Sequence, residues 1–369
     1  MRDSRRGPAP SLLASPLCWA YGRAMAMRNR AFDAGRRVVT FDRPVISVGN
    51  LSVGGTGKTP MVIAIVRAMR EAGRDPCIAM RGYHAARTGG ESDEAAVYTA
   101  ELPETPVVAQ ANRVEGLIGL FATERGQRVD CIVLDDGFQH RRIARQMDIV
   151  LIDAMRDVFA DRLLPAGWLR EPVSSLSRAQ AVVVTHAESA SDGEVKRMAS
   201  AVHEAAPGAL VAVARHEWTG LRSGDAAIGA DRQGVWGGGD PESRLGEAGY
   251  AERPVSWLNG KRVVAVCAIG NPEAFVSAIE RAGARIAASV IRPDHDAFAP
   301  SVVSRIIDAA RREAVGAIVC TEKDWAKLRR VEAKRWPCDV VRPRLEMKFQ
   351  QGWNELRESM LERVVKRVE

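Results

Sequence analysis

The chain lacks the features that mark disulfide-bonded, repetitive or metal-carrying proteins. Its cysteines include no C-x-x-C pair, and no paired cysteine or histidine ligands indicate a metal cargo. No internal repeat recurs at a fixed period, and there is no long low-complexity tract. The six scattered cysteines are Cys18, Cys77, Cys131, Cys267, Cys320 and Cys338. A reduced, cytoplasmic compartment fits this pattern best.

The apolar segment near the N-terminus is too short to span a bilayer. Residues 11–22 carry no charge, but Pro16 interrupts them, and no convincing small-residue cleavage site follows. We therefore expect neither a transmembrane helix nor a secretory signal. A helix with Leu13, Leu17, Tyr21 and Ala24 on one side, followed by arginines, fits a membrane interface. The alternative is a terminal helix packed on the body of the protein.

The basic charge is concentrated in the same N-terminal arm. The chain has 369 residues and a net charge of +7, of which +6 belongs to residues 1–43, with nine arginines and three aspartates. The rest is nearly neutral and offers no aromatic-basic stacking platform, so a nucleic-acid binder is not expected. Hydrophobic residues make up 46% and charged residues 27%, as in a soluble globular protein large enough for two domains.

Short apolar runs alternate with helical patterns along most of the chain. This alternation predicts an α/β fold: a P-loop NTPase-like parallel-sheet domain, a second, smaller α/β domain and an N-terminal amphipathic helix. The predicted parts are an arm over 1–43, a P-loop domain over 44–215, a glycine-rich linker or insertion over 216–260, a second α/β domain over 261–345 and a C-terminal helix over 346–369.

A glycine-rich turn between a strand and a helix predicts a nucleotide site. The run Val45–Asn50 leads into Gly54-Gly-Thr-Gly-Lys-Thr59, and a helical pattern follows. Glycines let backbone N–H groups converge on phosphate oxygens, and the helix N-terminus adds favourable charge. Lys58 can then reach the β- and γ-phosphates of a nucleoside triphosphate and Thr59 can ligate Mg²⁺. Predicted nucleotide contacts are Ser52, Val53, Gly54, Gly55, Thr56, Gly57, Lys58 and Thr59.

Two departures from the usual loop leave alternatives open. Ser52 stands where the first glycine of G-x-x-x-x-G-K-[ST] would fall, and Val53 replaces the signature lysine of partition and metal-insertion ATPases. A switch ATPase of that class is one alternative, and a glycine-rich turn without a ligand is another. A GTPase is disfavoured, because Thr321-Glu-Lys-Asp324 has the wrong spacing for guanine recognition.

Acidic residues at the end of a second apolar run predict a magnesium site. Asp135 and Asp136 follow a buried strand over 131–134, an arrangement typical of a Walker B motif. Adjacent carboxylates are costly to bury unless a cation is present. Transfer to an acceptor also requires a base, for which Asp93, His295 and the 135/136 pair are candidates that periodicity does not rank.

The set of motifs resembles the tetraacyldisaccharide 4′-kinase family, the lipid A 4′-kinases (LpxK). The resemblance extends from about residue 12 to 350 and is weakest over 216–256. The residues that carry it are Gly49–Thr59, Arg81-Gly-Tyr83, Ser92-Asp-Glu94, Leu134-Asp-Asp-Gly-Phe-Gln-His-Arg141, Leu163-Leu-Pro-Ala-Gly-Trp-Leu-Arg-Glu-Pro172, Pro293-Asp-His295 and Thr321-Glu-Lys-Asp324.

The resemblance implies a kinase at the cytoplasmic face of the inner membrane, and we expect the protein to be a monomer. Such an enzyme transfers the γ-phosphate of ATP to the 4′-hydroxyl of an acylated disaccharide 1-phosphate lipid. It implies Asp93 as base with His295 as its partner, and Lys58, Thr59, Asp135 and Asp136 as phosphate and Mg²⁺ residues. The residues that it implies on the substrate side are Arg81, Tyr83, Arg113, Gln139, His140, Arg170 and Glu171. Because Asp93 and His295 fall in different predicted domains, we hypothesise that domain closure completes the site.

Overall fold

The computed structural model describes residues 11–82, 93–224, 244–245, 251–294 and 296–365. Within these residues the chain forms helices and strands in the alternating order expected of an α/β protein. Three short 3-10 helices, Val173–Arg178, Val255–Leu258 and Ala333–Arg335, lie between them.

The elements are, in chain order, α1 (Ser11–Asp33), β1 (Val45–Asn50), α2 (Lys58–Glu71), β2 (Pro76–Met80), α3 (Asp93–Glu101), β3 (Val107–Ala109), α4 (Arg113–Phe121), α5 (Glu124–Arg128), β4 (Cys131–Asp135), β5 (Met147–Asp153), β6 (Ala181–Thr185), α6 (Asp192–Ala205), β7 (Leu210–Ser223), β8 (Arg244–Leu245), β9 (Ala251–Arg253), β10 (Arg262–Cys267), α7 (Pro272–Arg281), β11 (Arg285–Ile291), α8 (Pro300–Arg312), β12 (Ala317–Cys320), α9 (Glu322–Leu328), β13 (Asp339–Gln351) and α10 (Trp353–Val365).

The chain divides into two compact units. The first comprises Met1–His216 and Met347–Glu369, and the second comprises Glu217–Glu346. Each unit has its own buried apolar clusters, which is the expected result for a chain of this length.

In the first unit, parallel strands follow the order β7-β6-β5-β1-β4-β2-β3. β1, β2, β4 and β6 are buried at every residue, as expected for a sheet covered on both faces. Alternate residues of β5 face different helices. Ile149 and Leu151 share a cluster with residues of α2 and α10, whereas Val150 and Ile152 share one with residues of α6.

In the second unit, parallel strands follow the order β11-β10-β12-β13. β9 pairs in antiparallel fashion with the last residues of β7 and with β8. Residues of α8 and α9 form one apolar cluster with β10 and β12, and residues of α7 form another with the same strands. The α/β class predicted for the whole chain is confirmed.

Two predicted parts of the chain differ from the structure. Residues 216–223, assigned to the glycine-rich linker, belong to β7, and the last three of them pair with β9. The helix expected from residue 346 begins only at Trp353, since β13 extends to Gln351. The glycine-rich residues 225–243 lie outside the described residues.

Candidate active site

The turn between β1 and α2 has the backbone that its glycines predict. Gly54 has φ +131° and Gly57 has φ +83°, values at which a residue with a Cβ is strained. A Cβ added at Gly57 would also lie 2.5 Å from Nε2 of His216. The turn therefore requires glycine at position 57 for two independent reasons, conformation and space.

The two departures from the usual P-loop have a structural role. Ser52 is buried and forms an antiparallel bridge with Leu169, and the N–H of Val53 donates to the carbonyl oxygen of Trp168 (2.8 Å). The guanidinium of Arg156 donates to the carbonyl oxygen of Val53 (2.8 Å). The N–H of Val53, predicted as a phosphate contact, is thus already bonded to the protein. The first residues of the loop are held by the segment that contains Leu163–Pro172.

Hydrogen bonds from neighbouring strands hold the second half of the loop. Asn50, the last residue of β1, donates from Nδ2 to Oγ1 of Thr56 (3.0 Å). Thr185, the last residue of β6, donates from its hydroxyl to the carbonyl oxygen of Thr56 (3.0 Å). Lys58 and Thr59 then begin α2, so the helix N-terminus lies at the carboxyl edge of the parallel sheet.

Parallel pairing brings the acidic pair to the same edge. β4 lies beside β1 with Asp135 opposite Val48, and Asp136 follows with φ +49°. The ammonium of Lys58 lies 3.5 Å from Oδ1 of Asp136, and the guanidinium of Arg170 donates to both of its carboxylate oxygens (3.0 and 2.9 Å). Two cations from separate motifs therefore meet on one aspartate.

The two aspartates have opposite electrostatic environments. Burial raises the pKa of Asp135 to about 6, although Lys58 acts against this. Burial would also raise the pKa of Asp136, but Lys58 and Arg170 outweigh it and hold that pKa below its usual value. Asp136 is therefore ionised at neutral pH, whereas Asp135 carries a charge that the protein itself stabilises poorly.

The residues at this edge fit a bound Mg²⁺ ion. Oδ1 of Asp135 is buried and makes no hydrogen bond within the described residues, although the hydroxyl of Tyr98 lies near enough to this carboxyl to favour its charged form. Carboxylate and hydroxyl oxygens of the kind that Thr59, Asp135 and Asp136 supply are the ligands Mg²⁺ prefers. A cation beside Asp135 would satisfy the unpaired oxygen and lower the cost of its charge.

Several predicted substrate residues lie around the acidic pair. Arg113 is buried and donates to the backbone carbonyl of Asp136 (3.2 Å). Gln139 donates from Nε2 to the carbonyl oxygen of Asn50 (2.8 Å), so its amide supports the end of β1. His140 is half-buried. Burial, with Arg113 and Arg145 adding to it, lowers its pKa to about 4, which makes the ring neutral at physiological pH.

Glu171 has a different environment from its neighbour Arg170. Its side chain is fully buried, lies 3.0 Å from the guanidinium of Arg178 and accepts a hydrogen bond from Nδ2 of Asn29 (2.9 Å). Tyr21 donates from its hydroxyl to the carbonyl oxygen of Arg170 (2.9 Å). Glu171 is thus a packing and positioning residue in this structure, and α1 is docked on the Arg170–Glu171 segment.

Helix α1 has a second, exposed side. Leu17, Trp19 and Met27 are 53%, 69% and 68% exposed. Tyr21, which the sequence placed on the same side as Leu17, instead contacts the body through Arg170. Within the described part of the chain, no helix combines the length and hydrophobicity needed to cross a membrane.

The side chains of three predicted site residues lie outside the part of the chain that the structure describes. Tyr83 and His295 lie outside the described residues, as does the side chain of Asp93, the first residue of α3. Arg81 directly follows β2 at the carboxyl edge of the sheet and is exposed. Sequence patterns did not indicate Tyr98, which lies within an ordinary helix, or Arg156, which lies within a loop.

The chain matches known proteins over most of its length. Residues 10–364 match the family model described as tetraacyldisaccharide-1-P 4′-kinase. A tetraacyldisaccharide 4′-kinase of Anaeromyxobacter dehalogenans is 33% identical over 341 residues, 88% of this chain and 84% of the relative. One of Geobacter metallireducens is 34% identical over 331 residues, 86% of this chain and 88% of the relative.

A solved structure shares the fold. The crystal structure of LpxK from Aquifex aeolicus in complex with ATP aligns with a TM-score of 0.66 and 24% sequence identity, covering 95% of this chain and 98% of that one. Together with the family match over residues 10–364, this agrees with the resemblance drawn from the motifs. The chain belongs to the tetraacyldisaccharide-1-P 4′-kinase family.

Proposed function

We propose that this protein transfers the γ-phosphate of ATP to the 4′-hydroxyl of a tetraacylated disaccharide 1-phosphate. The observation that carries the proposal is the convergence of Lys58 and Arg170 on Asp136, beside the buried Asp135 and the P-loop helix. Phosphoryl transfer needs positioned cations and a metal-binding carboxylate more than it needs covalent chemistry, and this cluster supplies both.

The nucleotide side of the site follows from the loop geometry. Backbone N–H groups of the glycine-rich turn and the start of α2 face the position of the phosphates in this class of loop. Lys58 lies 3.5 Å from Asp136 at the start of α2, on the side of the loop where its ammonium can reach a bound nucleotide. Arg170 keeps Asp136 paired when Lys58 turns to the nucleotide.

A bound Mg²⁺ ion would be held by Thr59 and the acidic pair. Its contribution is to neutralise charge on the phosphate oxygens. Asp135 has the free, buried oxygen for direct ligation. Asp136 is already engaged by two cations, which suits a role at longer range.

The acceptor side requires a base. As the sugar oxygen attacks phosphorus and the bond to the ADP oxygen breaks, the hydroxyl proton must leave the attacking oxygen. Asp93 is the first residue of α3, and Tyr98 of the same helix is near Asp135, because burial and then this carboxylate raise the pKa of the Tyr98 hydroxyl. We assign the proton to Asp93, with His295 as its partner, on the motifs that the family resemblance carries.

The lipid substrate fits the position of α1. One side of α1 is docked beside Arg170 and Glu171, while Trp19 and two other apolar side chains are exposed. Apolar side chains with flanking arginines favour an anionic membrane surface. We therefore place the enzyme at the cytoplasmic face of the inner membrane, where α1 brings the site to the acyl chains.

A transfer assay distinguishes this function from a switch ATPase. The protein is incubated with γ-labelled ATP, Mg²⁺ and disaccharide 1-phosphate lipid in detergent micelles, and label in the lipid is compared with free phosphate. We expect lipid-dependent transfer, abolished in Lys58→Ala and unchanged in Lys196→Ala, which alters an exposed lysine of α6. Hydrolysis without labelled lipid would instead support a switch ATPase.

A further inference from the structure

We propose that His186, Glu188 and His216 form a binding site for a transition metal ion of the Zn²⁺ type. His186 and Glu188 follow the carboxyl end of β6, and His216 lies on the neighbouring β7, all within the first unit. One potential ligand atom of each residue lies within 4.8 Å of the others. Two imidazoles and a carboxylate are a donor set that Zn²⁺ binds well.

The spacing of the donors is close to what a metal ion requires. Ligands placed about 2.1 Å from a tetrahedral ion are roughly 3.4 Å apart. Nδ1 of His216 lies 3.6 Å from Oε1 of Glu188. Oε2 of the same carboxylate accepts the backbone N–H of His216 (2.9 Å), which fixes the direction of the side chain. Only small side-chain rotations are needed to close the site.

His216 lacks the partners that a buried histidine normally has. Its side chain is 8% exposed, and neither ring nitrogen makes a hydrogen bond within the described residues. A buried imidazole whose nitrogens lack partners is costly, and a bound ion would satisfy one of those nitrogens.

His186 has the support typical of a metal ligand. Oδ1 of Asp153, the last residue of β5, lies 3.1 Å from its Nδ1. A carboxylate on one imidazole nitrogen orients the ring and leaves the other nitrogen for the metal. The rings of His186 and His216 are neighbours, with centroids 4.4 Å apart, and a ring nitrogen of each lies within 4.8 Å of the other.

This site is separate from the proposed Mg²⁺ site but lies next to the P-loop. The ring of His216 fills the space over Gly57, where any Cβ would collide with it. A metal ion held by His216 would therefore stabilise the P-loop on the side opposite Asp135 and Asp136. Sequence patterns missed the site, because His216 lies 28 positions after Glu188 and the three residues follow no metal-binding spacing.

The test uses untagged, metal-free protein without nucleotide and Co²⁺ as a spectroscopic probe. We expect wild-type protein to bind a single Co²⁺ ion with a visible absorption band, which Zn²⁺ displaces. His186→Asn and Glu188→Gln should each weaken Co²⁺ binding more than tenfold. Asp153→Asn should weaken it about tenfold, the effect typical of losing a carboxylate that supports a metal-binding histidine. His203→Asn, an exposed histidine of α6, and Asp135→Asn, at the proposed Mg²⁺ site, should leave the band unchanged.

Thermal melting with and without Zn²⁺ distinguishes a variant that has lost metal binding from one that is misfolded. Zn²⁺ should raise the melting temperature of wild-type protein but not that of Glu188→Gln, provided both unfold cooperatively without metal. Absence of stoichiometric Co²⁺ binding, or equal binding by wild type, His186→Asn and Glu188→Gln, would overturn the proposal. The three residues would then be an ion-paired cluster only.

Discussion

Two arginines of this protein make similar ion pairs but should differ greatly in their effect on activity. Arg170 lies 2.9 Å from a carboxylate oxygen of Asp136 in the candidate site, and Arg197 lies 2.9 Å from one of Asp157 on the surface. The Arg170 pair is largely buried, with side chains 28% and 23% exposed, whereas those of Arg197 and Asp157 are 57% and 38% exposed. Replacing each arginine by alanine isolates the effect of position.

The expected loss for Arg170→Ala follows from its contacts. The substitution removes two charge-assisted hydrogen bonds to Asp136 and leaves Lys58 as the remaining cation on that carboxylate. Such bonds contribute about 1.5–3 kcal/mol, which corresponds to a fall of roughly 10- to 150-fold in kcat/KM. Lys58 is also drawn more firmly to Asp136, away from the phosphates. Arg197→Ala should change kcat/KM by about twofold or less, since exposed pairs contribute little.

The loss should deepen as pH falls. Lys58 and Arg170 together hold the pKa of Asp136 below its usual value against the effect of burial. Without Arg170 the carboxylate is protonated at a higher pH, so the variant loses activity at a pH where wild-type protein retains it. The ratio of wild-type to variant kcat/KM should therefore be larger at low pH than at high pH.

Steady-state transfer of labelled phosphate to lipid, measured across pH for wild type and both variants, checks these expectations. Melting temperatures of the three proteins separate loss of activity from loss of fold. If Arg170→Ala and Arg197→Ala were equally active at every pH, Arg170 would have no part in organising the site.

Three further predictions concern the P-loop, the proposed Mg²⁺ site and the binding of α1 to membranes. Gly57→Ala should abolish ATP binding in calorimetry, because φ is +83° and the added Cβ meets the ring of His216. Asp135→Asn should raise stability at pH 7 by about 3 kcal/mol in metal-free denaturant titrations while abolishing transfer. Burial raises the pKa of Asp135 to about 6, so the free energy of unfolding of wild-type protein falls as pH rises from the usual carboxyl pKa to about 6. Asparagine does not ionise, so the variant keeps that stability. Trp19→Glu should weaken binding to anionic vesicles about tenfold or more in sedimentation, with no change in melting temperature, because Trp19 is exposed.

Local patterns predicted the nucleotide side of the site because its parts are continuous in sequence. A buried strand, glycines and Lys58 identify the loop, and an apolar run before Asp135 identifies the second strand. Parallel pairing then brings the two together without further information. The roles of Tyr98 and Asn29 depend on tertiary packing that leaves no periodic signal, so the sequence did not indicate them.

The departures in the loop illustrate the same limit. Ser52 and Val53 could be seen to differ from the usual motif, but the reason depends on a segment more than 100 residues away. Their backbone pairs with Trp168 and Leu169, so the protein itself holds these two positions of the loop. A pairing of this kind is invisible to spacing rules.

That pairing also joins the two halves of the proposed reaction. The segment that bonds to Ser52 and Val53 continues into Arg170, which holds Asp136, and into Glu171, which is bonded to α1 through Asn29. A few residues of continuous backbone and two partly buried ion pairs thus connect α1 to the P-loop. The helix that we propose to rest on lipid and the loop that we propose to hold nucleotide are thus parts of one packed structure, as transfer of phosphate from ATP to a membrane lipid requires.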